Sequence, residues 1–182
     1  MEEVVDVVNK NDVWMGTASR SDVHKSGAWH RGIHILVFNS KGELLLQKRS
    51  AKKDKSPSSI DLSVSEHSKA GESFEQAAGR GLREELGITS LPLVQVLKFR
   101  MVYGPGDNMI SVLFRADHNG ETHPDPVEVE EVFPVAVADL PRLVKNRSDE
   151  MTLWARELLR WYIGVPSKAE EILVAPGFPP NL

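Results

Sequence analysis

The order of strand-like and helical segments along the chain predicts an α/β fold with a mixed sheet between helices. Strand-like runs come first, an amphipathic helix interrupts them at residues 74 to 86, strand-like runs resume, and a second amphipathic helix closes the pattern. A sheet in this setting has apolar faces to cover, and helices packed on it cover them naturally. The 182 residues, 41% of them hydrophobic, suffice for one domain with a real core.

The first half of the chain is predicted to form two β-hairpins followed by a long loop. The segment VVDVVNKNDVWMGTAS gives two short strands around NKND, and the runs IHILVF and LLLQKR pair across NSKG. Residues 50 to 70 are polar and contain several lysines and serines, so we expect a long loop there. Loops of that length in compact domains usually serve a function or are disordered.

The second half is predicted to add paired strands and a closing helix. LVQVLKFRMVY and MISVLFRAD form strands across GPGDN, and VEVEEVFPVAVADL forms a strand that leads into a short helix. DEMTLWARELLRWYI is an amphipathic helix with apolar residues at helical spacing. We expect one domain over residues 1–164 and a proline-rich tail over residues 165–182, extended on the surface or frayed.

Composition and charge exclude several classes of function. The net charge is −4, so we expect no nucleic acid polymer as partner, although nucleotides remain open as ligands. No apolar run is long enough for a membrane span, and the acidic start MEEVVDVVNK lacks a signal-peptide core, so we expect a cytoplasmic protein. The absence of cysteine excludes disulfides, zinc-thiolate sites and cysteine nucleophiles. A homodimer is compatible with the sequence.

The stretch GESFEQAAGRGLREELGI, residues 71 to 88, is predicted to form a helix with defined ends. Ser73 and Gln76 have the spacing of a capping box, and Gly87 stands where a helix stop belongs. At 100° per residue, one side of the helix is apolar and is predicted to face the sheet. That side consists of Ala78, Leu82 and Leu86.

Carboxylates gather along the neighbouring side of that helix. Glu84 and Glu85 lie there, with Gly81 angularly between them. Arg80 lies one turn before Glu84, and Glu72 lies just before the helix. Converging carboxylates repel each other unless a cation neutralises them, and Mg²⁺ prefers such oxygen-only surroundings. The alternative interpretation is a solvated helix face with ordinary ion pairs.

The spacing of these residues resembles the Nudix box, the signature of the Nudix hydrolase family. The matching positions are Glu72, Arg80, Leu82, Glu84, Glu85, Gly87 and Ile88. Two positions depart from the pattern, because Glu66 stands at its first glycine and Gly81 at its first helical glutamate. The resemblance covers roughly residues 3 to 163. It implies a Nudix-type α/β/α sandwich with a mixed sheet and a central loop–helix–loop.

The same resemblance implies a metal-dependent pyrophosphohydrolase. Its small-molecule substrate would be a nucleoside diphosphate linked to a group X, or a nucleoside di- or triphosphate, and its metal Mg²⁺ or Mn²⁺. Glu84 and Glu85 would hold the metal and serve catalysis, and Ser65 stands where the family often uses a backbone carbonyl as ligand. Glu72 and Arg80 would support them.

Gly81 takes the place of a carboxylate that normally helps to hold the metal. Either metal binding is weakened or another carboxylate substitutes, and Glu66 is our candidate. The alternative is a loop glutamate paired with a lysine such as Lys69. If the site is weakened, Gly81→Glu should add a ligand. Because it also removes a glycine from an exposed helix, it should add up to ~1 kcal/mol of stability.

The resemblance also implies one further carboxylate and several cations. The segment PDPVEVEEVF offers Glu128 and two further glutamates, and the family's usual position lies nearest Glu128, our candidate general base. A diphosphate needs cations besides the metal. We expect Arg31, Lys48 and Arg49, on or beside the strands that border the cleft in this fold, to bind phosphate, the alternative being surface ion pairs.

The segments VHKSGAWHRGIHILVF and LLLQKRS resemble the Nudix subgroup related to isopentenyl-diphosphate isomerases. Those relatives bind a metal with three histidines and two downstream glutamates and need a catalytic cysteine. His24, His30 and His67 approximate the histidines, but Asp107 alone stands near the glutamate positions, and the cysteine is missing. We therefore expect no isomerase activity. His67 is expected to contact substrate, with a packed or exposed histidine as the alternative.

A different class of function is also open to a chain with a degenerate box. Such a chain could bind a nucleotide or a protein without turnover. Metal-dependent phosphate release from a panel of nucleotides would separate the hydrolase from such a binding module.

Overall fold

A computed structural model describes residues 2–179 and contains ten strands and four α-helices in that range. The strands are β1 (Val4–Val8), β2 (Trp14–Ser19), β3 (Trp29–Phe38), β4 (Leu44–Arg49), β5 (Ile60–Asp61), β6 (Val64–His67), β7 (Val94–Gly104), β8 (Asp107–Asp117), β9 (Val129–Val135) and β10 (Glu170–Val174). The helices are α1 (Arg20–Ser26), α2 (Phe74–Leu86), α3 (Leu140–Arg147) and α4 (Leu153–Tyr162). Among the described residues, no helix has the length and apolar composition needed to cross a membrane.

The strands form one mixed sheet with β3 at its centre. β3 pairs in parallel with β8 and antiparallel with β1, β4 and β6. Beyond β8 the sheet continues to β7 and β10, beyond β1 it continues to β2, and β4 also pairs with β5 and β9. The predicted hairpins β1–β2 and β7–β8 and the pairing of β3 with β4 are confirmed.

Helices cover the sheet on both faces, and alternation along β3 separates the two cores. Ile33, Ile35 and Val37 pack with the apolar stripe of α2. Leu36 and Phe38 point to the opposite face and pack with residues of α3 and α4. This arrangement confirms the predicted α/β/α sandwich, because successive strand side chains point to opposite faces.

Helix α2 has the predicted ends. The Ser73 side chain accepts from the backbone N–H of Gln76 at 3.2 Å, and the Gln76 side chain accepts from the backbone N–H of Ser73 at 2.8 Å. Gly87 ends the helix in the left-handed region with φ of 67°. These contacts satisfy backbone groups that the helix itself leaves unpaired.

Four elements were not predicted as such from the sequence. Helix α1 was not predicted, since only Val23 of its seven residues is buried and the apolar period is too short to read. The prediction of an uninterrupted loop over residues 50 to 70 is wrong, because β5 and β6 lie within it and β6 pairs with β3. The tail contributes β10, which pairs with β7, and Arg100 bonds Glu170 across this pair.

Candidate active site

Six acidic residues line one groove, which we call the acidic groove, and four of them are site residues predicted from the sequence. Glu84 and Glu85 come from α2, Glu66 from β6 and Glu128 from the turn before β9. The structure thus brings together the glutamates that the sequence put forward as metal ligands and base.

Glu85 is buried at the inner end of the acidic groove. Its carboxylate accepts from Gln47 Nε2 at 2.5 Å and from the backbone N–H of Ser65 at 3.2 Å. Burial raises the pKa of Glu85 well above its ordinary value, and the neighbouring charge of Glu66 raises it further. Burial is also the main reason that the pKa of Glu66 is raised. A cation bound beside these two carboxylates would lower both pKa values, so the pair favours a bound cation.

Arg80 ties the supporting carboxylates to the groove. Its guanidinium donates to Glu72 at 2.9 and 3.0 Å, to Glu84 at 3.1 Å, and to Glu66. It also donates to the backbone carbonyl of His67 at 2.7 Å, so one buried side chain joins α2 to β6. Arg80, predicted as a supporting residue together with Glu72, therefore contacts two carboxylates of the acidic groove.

Gly81 is buried against β6 and is not exposed as the sequence suggested. A Cβ atom built on Gly81 would lie 2.7 Å from Cγ1 of Val64 and 3.4 Å from Cγ of Glu66. The expectation of an exposed position, and with it a stability gain for Gly81→Glu, is therefore wrong. The side chain of Glu66 occupies the space beside Gly81, so a strand carboxylate stands next to the position where the motif has a helix carboxylate.

A second concavity adjoins the acidic groove, and we call it the cationic cleft. It is lined by Arg20, Arg49, Lys53 and Lys55, with Tyr103 and Trp154 as aromatic walls. Within the described residues, the Nε atoms of Arg20 and Arg49 are buried without a hydrogen-bond partner. Unpaired buried donors are costly, and an anion in the cleft would satisfy them.

Two of the three predicted phosphate-binding cations lie elsewhere. Arg31 donates from Nε to Asp12 at 2.6 Å and lies over the ring of Phe74. Alternation along β3 turns it to the α2 face, away from the cleft. Lys48 bonds Glu130 at 2.8 Å near the surface. Arg49 does line the cleft.

Three histidines converge at the end of the cationic cleft. The ring nitrogens of His24, His30 and His67 lie within 4.8 Å of one another. Asp107 Oδ1 lies 3.5 Å from Nδ1 of His24 and 4.0 Å from Nε2 of His30. Lys55 Nζ lies 3.2 Å from both Asp107 Oδ2 and His24 Nδ1.

The chemistry of this histidine cluster fits a metal ion. Burial lowers the pKa of His30 to about 4 and that of His67 well below its ordinary value, so both imidazoles are neutral ligands at neutral pH. In the described part of the chain, His30 Nε2 and Asp107 Oδ1 are buried without a hydrogen-bond partner. Imidazoles with a carboxylate suit a transition metal. His67, predicted to contact substrate, lies in this cluster and lines both concavities.

His34 is almost fully buried where it borders the cleft, and this burial predicts acid sensitivity. Burial lowers its pKa from 6.5 to about 3. Below pH 6.5 the unfolded chain therefore takes up a proton that the folded chain does not bind. We expect the free energy of unfolding to fall as pH drops from about 6.5 toward 3, by up to about 1.4 kcal/mol per pH unit from this group.

Urea unfolding between about pH 7 and pH 4 checks this expectation. His34→Gln, which cannot gain the charge, should flatten the pH dependence, while His123→Gln at an exposed position should leave it as in the parent. An equal slope in the parent and His34→Gln would contradict the prediction.

Sequence reasoning missed most of the cationic cleft. Arg20, Lys55, Tyr103 and Trp154 come from four separate segments and belong to no common motif. For Asp107, the signal was its place near the glutamate positions of the isomerase relatives. The contacts themselves depend on strand pairing that no local pattern specifies.

Comparisons with known proteins match this chain to a domain family, to curated relatives and to solved structures. The NUDIX domain model matches residues 28–162. An isopentenyl-diphosphate Delta-isomerase 2 of Photorhabdus laumondii is 34% identical over 163 residues, covering 87% of this chain and 92% of the relative. An uncharacterized Nudix hydrolase of Streptomyces coelicolor is 33% identical over 130 residues, covering 70% and 71%. A solved Deinococcus radiodurans structure matches in fold with a TM-score of 0.73 at 23% identity, covering 87% of this chain and 98% of that one.

Proposed function

The chain belongs to the Nudix family, and from that membership and its site we propose that it is a divalent-metal-dependent pyrophosphohydrolase. Its substrate is a nucleoside diphosphate linked to a further group, or a nucleoside di- or triphosphate. The Nudix domain accounts for the greater part of the chain.

The observation that carries this proposal is the junction of the acidic groove with the cationic cleft. The two concavities share Arg20, Lys53, Glu66 and His67. A diphosphate needs metal-binding carboxylates on one side and positive side chains on the other, because its charge is spread over several oxygens. The junction supplies both within one continuous surface.

We assign the metal to Glu84, Glu85, Glu66 and the backbone carbonyl of Ser65. This all-oxygen set fits Mg²⁺, and Mn²⁺ is an alternative. Besides burial, repulsion from Glu66 helps to raise the pKa of Glu85, and repulsion from Glu84 helps to raise that of Glu66. Both support the assignment, since a cation bound among these carboxylates would relieve the repulsion. When bound, such an ion draws charge from phosphoryl oxygens and activates water.

The remaining roles follow from the charges around the junction. Arg49 and Lys55 would bind the phosphate oxygens. Lys53 now contacts Glu128. A phosphate that draws Lys53 away would leave Glu128 free to accept a proton from the attacking water, and Glu128 is therefore our candidate base.

Phosphate release tests the proposed reaction. A panel of nucleoside di- and triphosphates and dinucleotides is incubated with the full chain and Mg²⁺ or Mn²⁺. We expect metal-dependent release from at least one member of the panel. Nucleotide binding without phosphate release from any member of the panel would favour the binding module. The presence of Gly81 in place of the family's glutamate supports that alternative.

The metal role of Glu66 has its own matched test. Glu66→Gln should weaken Mg²⁺ binding by about 100-fold, measured by calorimetry, because a charged ligand is lost. Glu72→Gln serves as control: it also removes a carboxylate from Arg80 but lies outside the acidic groove. Equal Mg²⁺ affinity in the two variants would contradict the assignment of Glu66.

Isomerase activity is a further candidate because the Photorhabdus relative bears that name and the histidine cluster is present. This chain has no cysteine, and Glu66 is the one glutamate among the described residues that line the cleft. We expect no allylic product from isopentenyl diphosphate above a metal-only control. Formation of that product by the full chain would overturn this expectation.

A further inference from the structure

A chain of hydrogen bonds runs from a buried carboxylate to the wall of the cationic cleft. Ser65 Oγ donates to Asp61 Oδ1 at 3.0 Å, and His34 Nδ1 lies 3.1 Å from Ser65 Oγ. On the other side of the ring, His34 Nε2 lies 3.1 Å from the hydroxyl of Tyr103. Asp61 is fully buried, whereas Tyr103 lines the cleft.

The buried end of this chain can only accept hydrogen bonds. Asp61 receives them from Arg49 Nη1 at 3.0 Å, from the backbone N–H of Leu62 at 2.7 Å and from Trp154 Nε1 at 2.6 Å. Thr152 Oγ1 also donates, at 3.3 Å. Burial raises the pKa of Asp61, but the Arg49 guanidinium on one carboxyl oxygen and the donors on the other oppose that shift. These donors favour the ionised form, which has no proton to give.

The direction of each following bond is then determined. Ser65 has one hydroxyl proton and gives it to Asp61, so its oxygen must accept the Nδ1–H of His34. A neutral imidazole carries only one N–H, and therefore His34 Nε2 must accept. The hydroxyl of Tyr103 is the donor to that nitrogen.

We propose that Asp61, acting through Ser65 and His34, holds the Tyr103 hydroxyl with its proton turned inward, so that the phenol offers only an acceptor to the cleft. Its other neighbour is Ser111 Oγ, at 3.4 Å. Asp61, Ser65 and His34 are positioning residues in this scheme, and Tyr103 is the residue that meets the ligand.

This polarity identifies the part of the ligand that Tyr103 recognises. Phosphate oxygens at neutral pH are themselves acceptors, so they are repelled by the phenol oxygen and are bound by the cations instead. The matching group is a hydroxyl or N–H on the moiety attached to the phosphates. This step rests on the proposed function: the substrate is then a diphosphate whose attached group carries a hydroxyl or N–H donor. A nucleoside carries such a donor, and an alkyl chain does not.

Histidine NMR tests the inward direction without any substrate. The full chain is labelled with ¹⁵N-histidine, long-range ring correlations report the tautomer, and His34→Gln assigns the signal. We expect His34 to be neutral with its proton on Nδ1 and to lose that strict preference in Ser65→Ala. A proton on Nε2 in the parent protein would overturn the proposal, whatever the outcome of the hydrolysis assays.

Binding of methylene-bridged diphosphates tests the ligand class. In the presence of Mg²⁺, Tyr103→Phe should weaken a nucleoside diphosphate analogue about tenfold and leave methylenediphosphonate and an alkyl analogue unchanged. Equal losses for all three probes, or tighter binding of the alkyl than of the nucleoside analogue by the parent, would overturn the proposal. If Tyr103→Phe weakens only the nucleoside analogue but the parent protein hydrolyses no nucleotide, the proposed function is contradicted and the role of Tyr103 is not.

Discussion

Glu85→Gln is expected to lower metal-dependent hydrolysis by about 100-fold or more while leaving the fold intact. Loss of a supporting side chain around a metal typically costs 10- to 100-fold, and loss of a ligand should cost at least the upper end of that range. The glutamine carbonyl can still accept from the N–H of Ser65, which holds α2 to β6. Glu85→Gln should therefore lose hydrolysis and keep the packing of α2 on β6.

Stability measurements sharpen this prediction. Because burial raises the pKa of Glu85, the folded chain disfavours its charge more than the unfolded chain does, and uncharged glutamine avoids that cost. Without metal, the variant should be at least as stable as the parent near neutral pH. With Mg²⁺ in excess, the parent alone should gain stability, since a ligand that binds only the folded state raises its free energy of unfolding.

The matched control is Glu75→Gln, an exposed glutamate in the first turn of the same helix. It should keep both turnover and the Mg²⁺ response, measured by phosphate release and by thermal unfolding with and without the ion. Parental turnover in Glu85→Gln would remove Glu85 from the proposed metal site.

Gly81→Ala is expected to destabilise the protein, although alanine is the better helix former. Its added methyl group would meet Cγ1 of fully buried Val64 at 2.7 Å. Val64 is β-branched and held in β6, so it cannot swing aside as a long side chain would. Overpacking of this kind costs about 1–3 kcal/mol and outweighs the ~1 kcal/mol gained by removing a helix glycine.

Gly79 offers the opposite case in the same helix. A Cβ atom there would approach only Nη1 of Arg83, at 3.7 Å. Gly79→Ala should therefore raise the free energy of unfolding by up to ~1 kcal/mol in urea titrations. In a Val64→Ala background, Gly81→Ala should lower the free energy of unfolding less than it does in the parent, because the methyl group that it would meet is gone. Equal gains at the two glycines would show that the contact with Val64 is not limiting.

The contrast between these glycines shows how far sequence reasoning reached. The ends and the apolar stripe of α2 were predictable, because capping residues and helical spacing are local signals. The surroundings of Gly81 were not, since they depend on β6, which lies in a segment with too few residues and too many polar ones to read as a strand. The exchange of glycine and glutamate between positions 66 and 81 was visible as two departures from one motif. That the two residues lie side by side could be seen only from the packing of α2 on β6.

The candidate site divides in the same way. Three of the four predicted glutamates of the acidic groove stand at positions of one motif with fixed spacing, and Glu128 lies outside that motif. The structure brings all four together. For the cationic cleft, the sequence identified Arg49 correctly. It also proposed Arg31, but side chains alternate along β3, and that of Arg31 points to the opposite face. His34, Tyr103 and Asp61 carried no motif, and only pairing between distant strands brings them together.

The bond between Trp154 and Asp61 has a consequence for the order in which the molecule forms. Trp154 lies on α4, near the end of the domain, while Asp61 lies on β5, so this wall of the cleft closes through a contact between residues 93 positions apart. Such long-range contacts form slowly, because the intervening chain must be ordered before they are made. A growing polypeptide can therefore complete its α2 helix early, but it cannot build the cleft until α4 has been synthesised. Substrate would stabilise only finished molecules, and a chain arrested before Trp154 would keep a buried carboxylate short of one of its donors.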